Sequence, residues 1–294
     1  MPETSRLFPP VPGTDYDIIG SVVLYNTPPE ELTRAIRQFF AIPYADASKR
    51  HLCIIDNSPR PSPNAFFSDE RISYHFPNQN LGYGRAHNLA FRASEGRTKY
   101  NLIMNTDVNY APDVIPALHS YLESHPHAGL AAPKILYPDG RLQPVCRLLP
   151  TPWNIFLRRF FPTSRLTETM DAEYELQWWP HDEIANIPFL SGSFLLLRST
   201  LLASLGGFDE RFFLYAEDVD LCRRVHEVSQ TAYIPTALVT HEFRRQNRRS
   251  IRCTWHGFVS HAQYFNKWGW LSDASRREIN LRTAERLRFH SPKN

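Results

Sequence analysis

The sequence predicts an α/β fold with a mostly parallel central sheet flanked by helices. Three observations predict it. The chain opens with a strand, helix, strand succession. Its apolar runs are short and continuous, as in strands covered on both faces. Each run ends in a polar cluster, and ligands of such sheets gather at the carboxyl ends of the strands.

The elements follow in order. Residues 1–15 are polar and proline-rich and read as a disordered leader without the apolar stretch of a signal peptide. Residues 17–25, DIIGSVVLY, form the first strand, ending at Tyr25-Asn26. A helix over 30–41 places Leu32, Ala35, Ile36, Phe39 and Phe40 on one face. The strand 51–55 runs into Asp56-Asn57, at the same edge as Tyr25-Asn26. An aspartate there accepts from a ribose hydroxyl or a base N–H, or simply closes a turn.

The strand 72–76 leads to the loop NQNLGYGRAHN, residues 78–88. It opens a helix with Ala86, Leu89, Ala90 and Ala93 on one side. Gly82 and its neighbours let backbone N–H groups approach an anion. Neither GxxxxGK[ST] nor GxGxxG is present. Arg85 reads as a diphosphate contact or as a surface arginine, and Asn88 closes the motif. Strand 99–104 delivers Asn105-Thr106-Asp107, where a cation bridging a nucleotide diphosphate needs a carboxylate. Mg²⁺ and Mn²⁺ complete their shells with water and phosphate oxygens, so one protein carboxylate suffices.

A helix over 113–124 follows. Residues 128–136 and 142–149 flank Tyr137-Pro138-Asp139-Gly140-Arg141 and read as a hairpin. Residues 150–185 read as an excursion from the sheet, helical over 153–161, that covers a site or is a surface insertion. The strand 187–199 is interrupted by Ser191-Gly192-Ser193, and a short helix stops at Gly206-Gly207.

The stretch FFLYAEDVDLCRRV, residues 212–225, starts a helix whose apolar positions are Leu221, Val225 and Val228. Asp218 falls near that stripe and reads as a carboxylate aimed at a ligand. Asp220 is expected on the solvent side with Arg223 and Arg224. The alternative is that Glu217 and Asp218 only satisfy the first-turn preference for acids. A strand over 232–239 ends at His241. Beyond it lie Arg244, Arg245, Arg248, Arg249 and Arg252, then Trp255, Phe258, Tyr264, Phe265, Trp268 and Trp270. This segment reads as a membrane-surface contact, a wall of an acceptor site, or a packed amphipathic helix. Residues 275–290 read as a loosely docked helix.

A net charge of +3 is too small to argue for nucleic acid, and no nucleic-acid motif accompanies it. Four scattered cysteines without Cys-x-x-Cys fit a reducing compartment. No apolar run approaches the roughly 20 residues that span a bilayer.

Taken together, Tyr25-Asn26, Asp56-Asn57, NxGxGRAxN, NTDV, FLSGSFLLLR, GGFDERFFLYAEDVDLCRR and the late strand–His resemble the inverting glycosyltransferases of family 2, with the GT-A fold. Within that family the pattern is most similar to bacterial rhamnosyltransferases of cell-surface polysaccharide assembly. The resemblance covers residues 17–270. It implies a Rossmann-like nucleotide-binding half within a domain over 16–270, with the 150–185 insertion near the active site and a C-terminal helical tail over 271–294. It implies donor contacts at Tyr25, Asn26, Asp56, Asn57, Gly82, Arg85, Asn88, Asn105 and Thr106. It also implies a divalent metal, Mg²⁺ or Mn²⁺, at Asp107 with His241. Asn105 replaces the first acid of the family's Asp-x-Asp. Asp218 falls at the general base, with Glu217 beside it. The expected reaction moves L-rhamnose from dTDP-rhamnose onto a hydroxyl of a polysaccharide or lipid-linked glycan, in the cytoplasm, with peripheral contact to the inner membrane face. A homo-oligomer is compatible with this. The alternatives are a UDP- or GDP-hexose donor, or a catalytically silent nucleotide-sugar-binding subunit.

Overall fold

The structure, a computed structural model, describes residues 9–13, 15–41, 49–242 and 251–290, with side chains excluded at 251, 252 and 290. Most of the expected leader and Arg244, Arg245, Arg248 and Arg249 lie outside the described residues.

A sheet of nine strands organises the chain. In chain order its first members are β1 (Tyr16–Leu24), β2 (Arg50–Asp56), β3 (Ile72–His75), β4 (Thr98–Met104), β5 (Val108–Tyr110) and β6 (Ala128–Leu136). Two short strands, β7 (Cys146–Arg147) and β9 (Phe189–Leu190), pair only with each other. β8 (Ala185–Asn186), β10 (Phe194–Arg198) and β11 (Gln230–His241) complete the main sheet. Its order is β3-β2-β1-β4-β10-β6-β11-β5, with β8 on β11. The pairs among β1 to β4 and the pair β6–β11 are parallel. β10 runs antiparallel between β4 and β6. The chain leaves β1 for β2 and β3 on one side and returns to β4 on the other. The resulting crevice lies at the carboxyl ends of β1, β2 and β4.

Alternation along the strands feeds two cores. Ile18, Val22, Leu52 and Ile54 meet Leu32, Ile36 and Phe39 of α1 (Pro29–Phe40) and Val114, Ile115 and Leu118 of α3 (Val114–Ser124). Ile19, Cys53 and Ile55 meet Ala86, Leu89, Ala90 and Ala93 of α2 (Tyr83–Ser94), the face its sequence predicts. Val11 joins this second cluster, fully buried, and its N–H donates to the Ala93 carbonyl at 3.0 Å. That part of the expected leader is therefore packed.

The expected 128–149 hairpin does not form. The Asp-Gly turn closes, with the Tyr137 N–H donating to Arg141 O at 2.8 Å, but the only bridge is Leu136 to Leu142. Cys146 and Arg147 pair instead with Leu190 and Phe189. The insertion contains two helices, α4 (Pro152–Phe160) and α5 (Arg165–Tyr174). The remaining helices are α6 (Ser199–Ser204), α7 (Glu217–Val228), α8 (Ile251–Trp268) and α9 (Ala274–His290).

α9 is firmly anchored, where a loose tail was expected. Arg223, 1% exposed at its side chain, makes paired bonds of 2.6 and 2.8 Å to Asp273 just before α9. Asn280 exchanges bonds with the backbone of Leu149, and Ala284 and Leu287 are buried. Val228, predicted on the inward stripe of α7, is exposed at 66%.

Candidate active site

The polar clusters that end β1, β2 and β4 share one edge. Asn57 anchors the glycine loop: its Nδ2 donates to Gly82 O at 2.9 Å. Gly82 has φ +81°, and a Cβ there would lie 2.2 Å from Phe213 O, so only glycine fits. Tyr83, next in sequence, donates its N–H to that same carbonyl. The loop is thereby fastened to the segment leading into α7.

Asp56 is fully buried. One oxygen accepts from Ser58 N–H, and the other from Ser62 N–H at 2.7 Å and Tyr74 OH at 2.8 Å. Burial opposes its ionisation, but these bonds prevail and hold its carboxyl below the usual range. Asp56 shapes the 57–62 loop with both oxygens engaged. Tyr25, half exposed, and Asn26, with φ 52° and its N–H on Ser58 Oγ, stand beside it.

The Asn105-Thr106-Asp107 loop follows β4. Thr106 bonds Glu31 of α1 at 2.5 Å. The Asp107 carbonyl accepts from Glu242 N–H, and one Asp107 carboxylate oxygen lies 3.1 Å from His241 Nε2. Gln143 fixes the imidazole. Its Nε2 donates to His241 O at 2.9 Å, which turns its Oε1 toward His241 Nδ1 at 3.1 Å. Nδ1 must then be the donor, and the Nε2 face looks at a carboxylate oxygen. Two such atoms at this separation require a proton or a cation between them. The pair therefore fits one hard cation with an oxygen and a nitrogen ligand. Among the described residues no group of three or more His, Cys, Asp or Glu forms a cage, so further ligands would be water and phosphate oxygens.

The second acidic centre begins α7. Tyr215 and Ala216 both have φ 67°, left-handed backbone at non-glycine residues directly before Glu217. Strain of this kind persists where the surroundings impose it. Here Phe213 packs on His256, ring centroids 4.3 Å apart, and Gly257 of α8 gives room to the Tyr215 ring. Asp218 accepts from Gly192 N–H at 3.2 Å and from Val219 N–H at 2.9 Å, one bond to each oxygen. Glu217 is buried; desolvation, reinforced by the Asp218 charge, pushes its carboxyl well above the usual range. The two adjacent acids thus differ in chemistry: burial favours the neutral form of Glu217, and Asp218 is partly exposed.

Asp220 is not on the solvent side. It is 0% exposed, with Arg224 and Trp268 Nε1 at 2.8 Å and Lys267 at 2.6 Å. Those partners place it in the joint between α7 and α8.

One unpredicted residue joins the two centres. Tyr83 OH lies 2.8 Å from Gly192 O and 3.0 Å from the Asn105 side chain. A hydroxyl has one proton, so it donates to the carbonyl, and the Asn105 amide can turn to donate in return. Burial, then Glu217, Asp218 and Asp107, raise its phenol well above the usual range. Tyr83 therefore senses all three acids. Nothing local in the sequence marks it or Gln143. Two expected residues are engaged elsewhere. Arg85 pairs with Glu210 at 3.6 Å, and Asn88 holds the 208–210 loop through Phe208 and Glu210.

The family described as Glycosyltransferase like family 2 matches residues 25–254, most of the chain and all of this site. The chain belongs to that family. This family 2 chain is 34% identical over 176 residues to the N-acetylglucosaminyl-diphospho-decaprenol L-rhamnosyltransferase of Mycobacterium tuberculosis, a match covering 55% of this chain and 56% of that protein. It is 33% identical over 73 residues to the rhamnosyltransferase WbbL of Escherichia coli, covering 24% of this chain and 28% of the relative. The chain thus spans about half the length, or less, of these relatives. Among solved structures, GalNAc-T7 with UDP, GalNAc and Mn²⁺ matches 94% of this chain and 58% of its own, with TM-score 0.60 and 11% identity. That likeness is one of fold, and the fold is GT-A.

Proposed function

We propose that this protein is an inverting glycosyltransferase that transfers L-rhamnose from dTDP-rhamnose to a hydroxyl of a lipid-linked glycan. The observation that carries the reading is the convergence of two chemically distinct acidic centres on one sheet edge, joined through Tyr83. The names of the relatives supply the sugar and the acceptor class.

The donor's nucleoside fits the crevice beside Tyr25, Asn26 and the loop that Asp56 and Asn57 hold. Its diphosphate then reaches Asp107 and His241. A divalent cation bound there would neutralise charge on the departing diphosphate. Asp218 takes the proton of the acceptor hydroxyl. The hydroxyl oxygen bonds to the anomeric carbon from the opposite face, and the carbon–oxygen bond to the diphosphate breaks with its electron pair leaving on the diphosphate. Gly192 and Val219 N–H groups hold Asp218 in place. Gly192 also keeps its approach open, since a Cβ at that residue would lie 3.0 Å from Asp218 Cβ. Burial favours the neutral form of Glu217 and so limits competing charge beside Asp218.

The test is transfer from dTDP-rhamnose to polyprenyl-diphospho-N-acetylglucosamine with Mn²⁺, with product configuration read by NMR. Transfer with inversion supports the reading. Transfer only from UDP- or GDP-hexoses would replace the donor. Binding of nucleotide sugars without transfer to any acceptor would favour the silent-subunit alternative.

A further inference from the structure

We propose that the outward face of α4 and the first turn of α5 form a surface that settles onto a bilayer containing anionic lipid. The inference deepens the lipid-linked-acceptor reading and rests on it for its purpose.

α4 is amphipathic in the unusual sense. Asn154 and Leu157 are buried, while Trp153, Phe156 and Phe160 share the outer face and are exposed at 57%, 43% and 58%. These positions are spaced i, i+3, i+7, so they form one stripe. Phe156 contacts Trp153, Phe160 and Phe161, with ring centroids 5.9, 4.9 and 6.1 Å apart. Phe161 and Leu166 extend the exposed apolar surface. A water-facing stripe of this kind needs an explanation beyond chance exposure of single residues.

Charge identifies the occupant. From Pro150 to Thr167 there is no acidic residue, and Glu168 is the one acid in the first turn of α5, set against Arg159 and Arg165. Arg158 is turned inward, bonded to Glu175 at 2.5 Å. Arg159 and Arg165 are exposed and stand in no ion pair among the described residues. Aromatic side chains bordered by unneutralised arginines match the boundary between acyl chains and anionic headgroups. The support is rigid: a Thr151–Asn154 capping box starts α4, and Arg158 ties it to α5. The surface also adjoins the site. Tyr174, which ends α5, accepts the Leu148 N–H at its carbonyl, and the adjoining β7 pairs with β9, which runs on to Gly192 and its bond to Asp218. An acceptor anchored in the bilayer would present its glycan beside the base.

The test is co-sedimentation of the full chain with phosphatidylglycerol–phosphatidylcholine vesicles and with pure phosphatidylcholine vesicles. These contain no glycan, and no nucleotide is added. The expected result is binding to the anionic vesicles that weakens with salt. Trp153→Ser/Phe156→Ser/Phe160→Ser should lower partitioning at least about 30-fold on either lipid. Arg159→Gln/Arg165→Gln should lower it roughly tenfold or more on anionic vesicles only. Far-UV circular dichroism checks that both variants fold. The proposal is overturned if the wild-type chain stays in the supernatant with anionic vesicles at low salt, or if either variant pellets like wild type. It is also overturned if light scattering shows a dimer that the serine variant dissociates, since a second copy would then be the occupant. Nucleotide binding measured without lipid separates this outcome from failure of the transferase reading.

Discussion

The two acidic centres lie on one edge but are built differently. Asp107 hangs on the sheet: β4 leads to it, its carbonyl bonds the chain after β11, and His241 ends β11. Asp218 hangs on helices and loops. Its helix starts after two left-handed residues, leans on α8 through Asp220, Lys267 and Trp268, and is pinned to α9 by Arg223–Asp273. The difference suggests that the diphosphate end keeps its geometry as part of the sheet, while the acceptor end can be lost separately.

The largest expected effect separates chemistry from binding. Asp218→Asn should reduce transfer about 10³-fold with donor affinity unchanged; steady-state rates and titration on one preparation would show it. Asp273→Ala strikes only the helical side. It leaves buried Arg223 with only its longer contacts to Glu227 and the Tyr264 hydroxyl, and urea unfolding should show a loss of about 3 kcal/mol. Below its unfolding transition the variant should still bind nucleotide like wild type. Tyr83→Phe cuts the tie between the centres and should lower transfer roughly tenfold through removal of the hydroxyl's two hydrogen bonds. Equal activity in the phenylalanine variant would show that the centres need no such tie.

The smallest effect concerns Glu217 and pH. Its folded-state carboxyl titrates above the ordinary 4.5, so the unfolded chain loses that proton first as pH rises. Glu217 thus contributes a loss of stability that grows with pH above about 4.5, and none below it. Glu217→Gln should gain on wild type in chemical denaturation as pH rises above about 4.5. A constant offset would mean that Glu217 is ionised in the folded protein.

Much of the sheet-borne half is legible in the sequence. β1, β2 and β4 are apolar runs closed by polar turns, and α2 buries the four residues its period indicates. α7 likewise runs from Glu217 to Val228, as the sequence suggests. The helical half is less so, because its partners are remote. The Asp-Gly turn at 139–140 forms, yet Cys146 and Arg147 pair more than 40 positions away. Asp220 looks like a surface helix residue until Lys267 and Trp268 fold over it. Tyr83 occupies an unspecified position of the glycine motif and Gln143 belongs to no motif; only the fold brings Tyr83 between the centres and Gln143 onto His241.

The most direct test of the division between the centres is calorimetric titration of dTDP, with and without Mn²⁺, into wild type, Asp107→Ala and Asp218→Asn. The account predicts Mn²⁺-dependent binding that Asp107→Ala weakens about 10–100-fold and Asp218→Asn leaves intact. Equal loss in both variants, or binding indifferent to the metal in wild type, would contradict it.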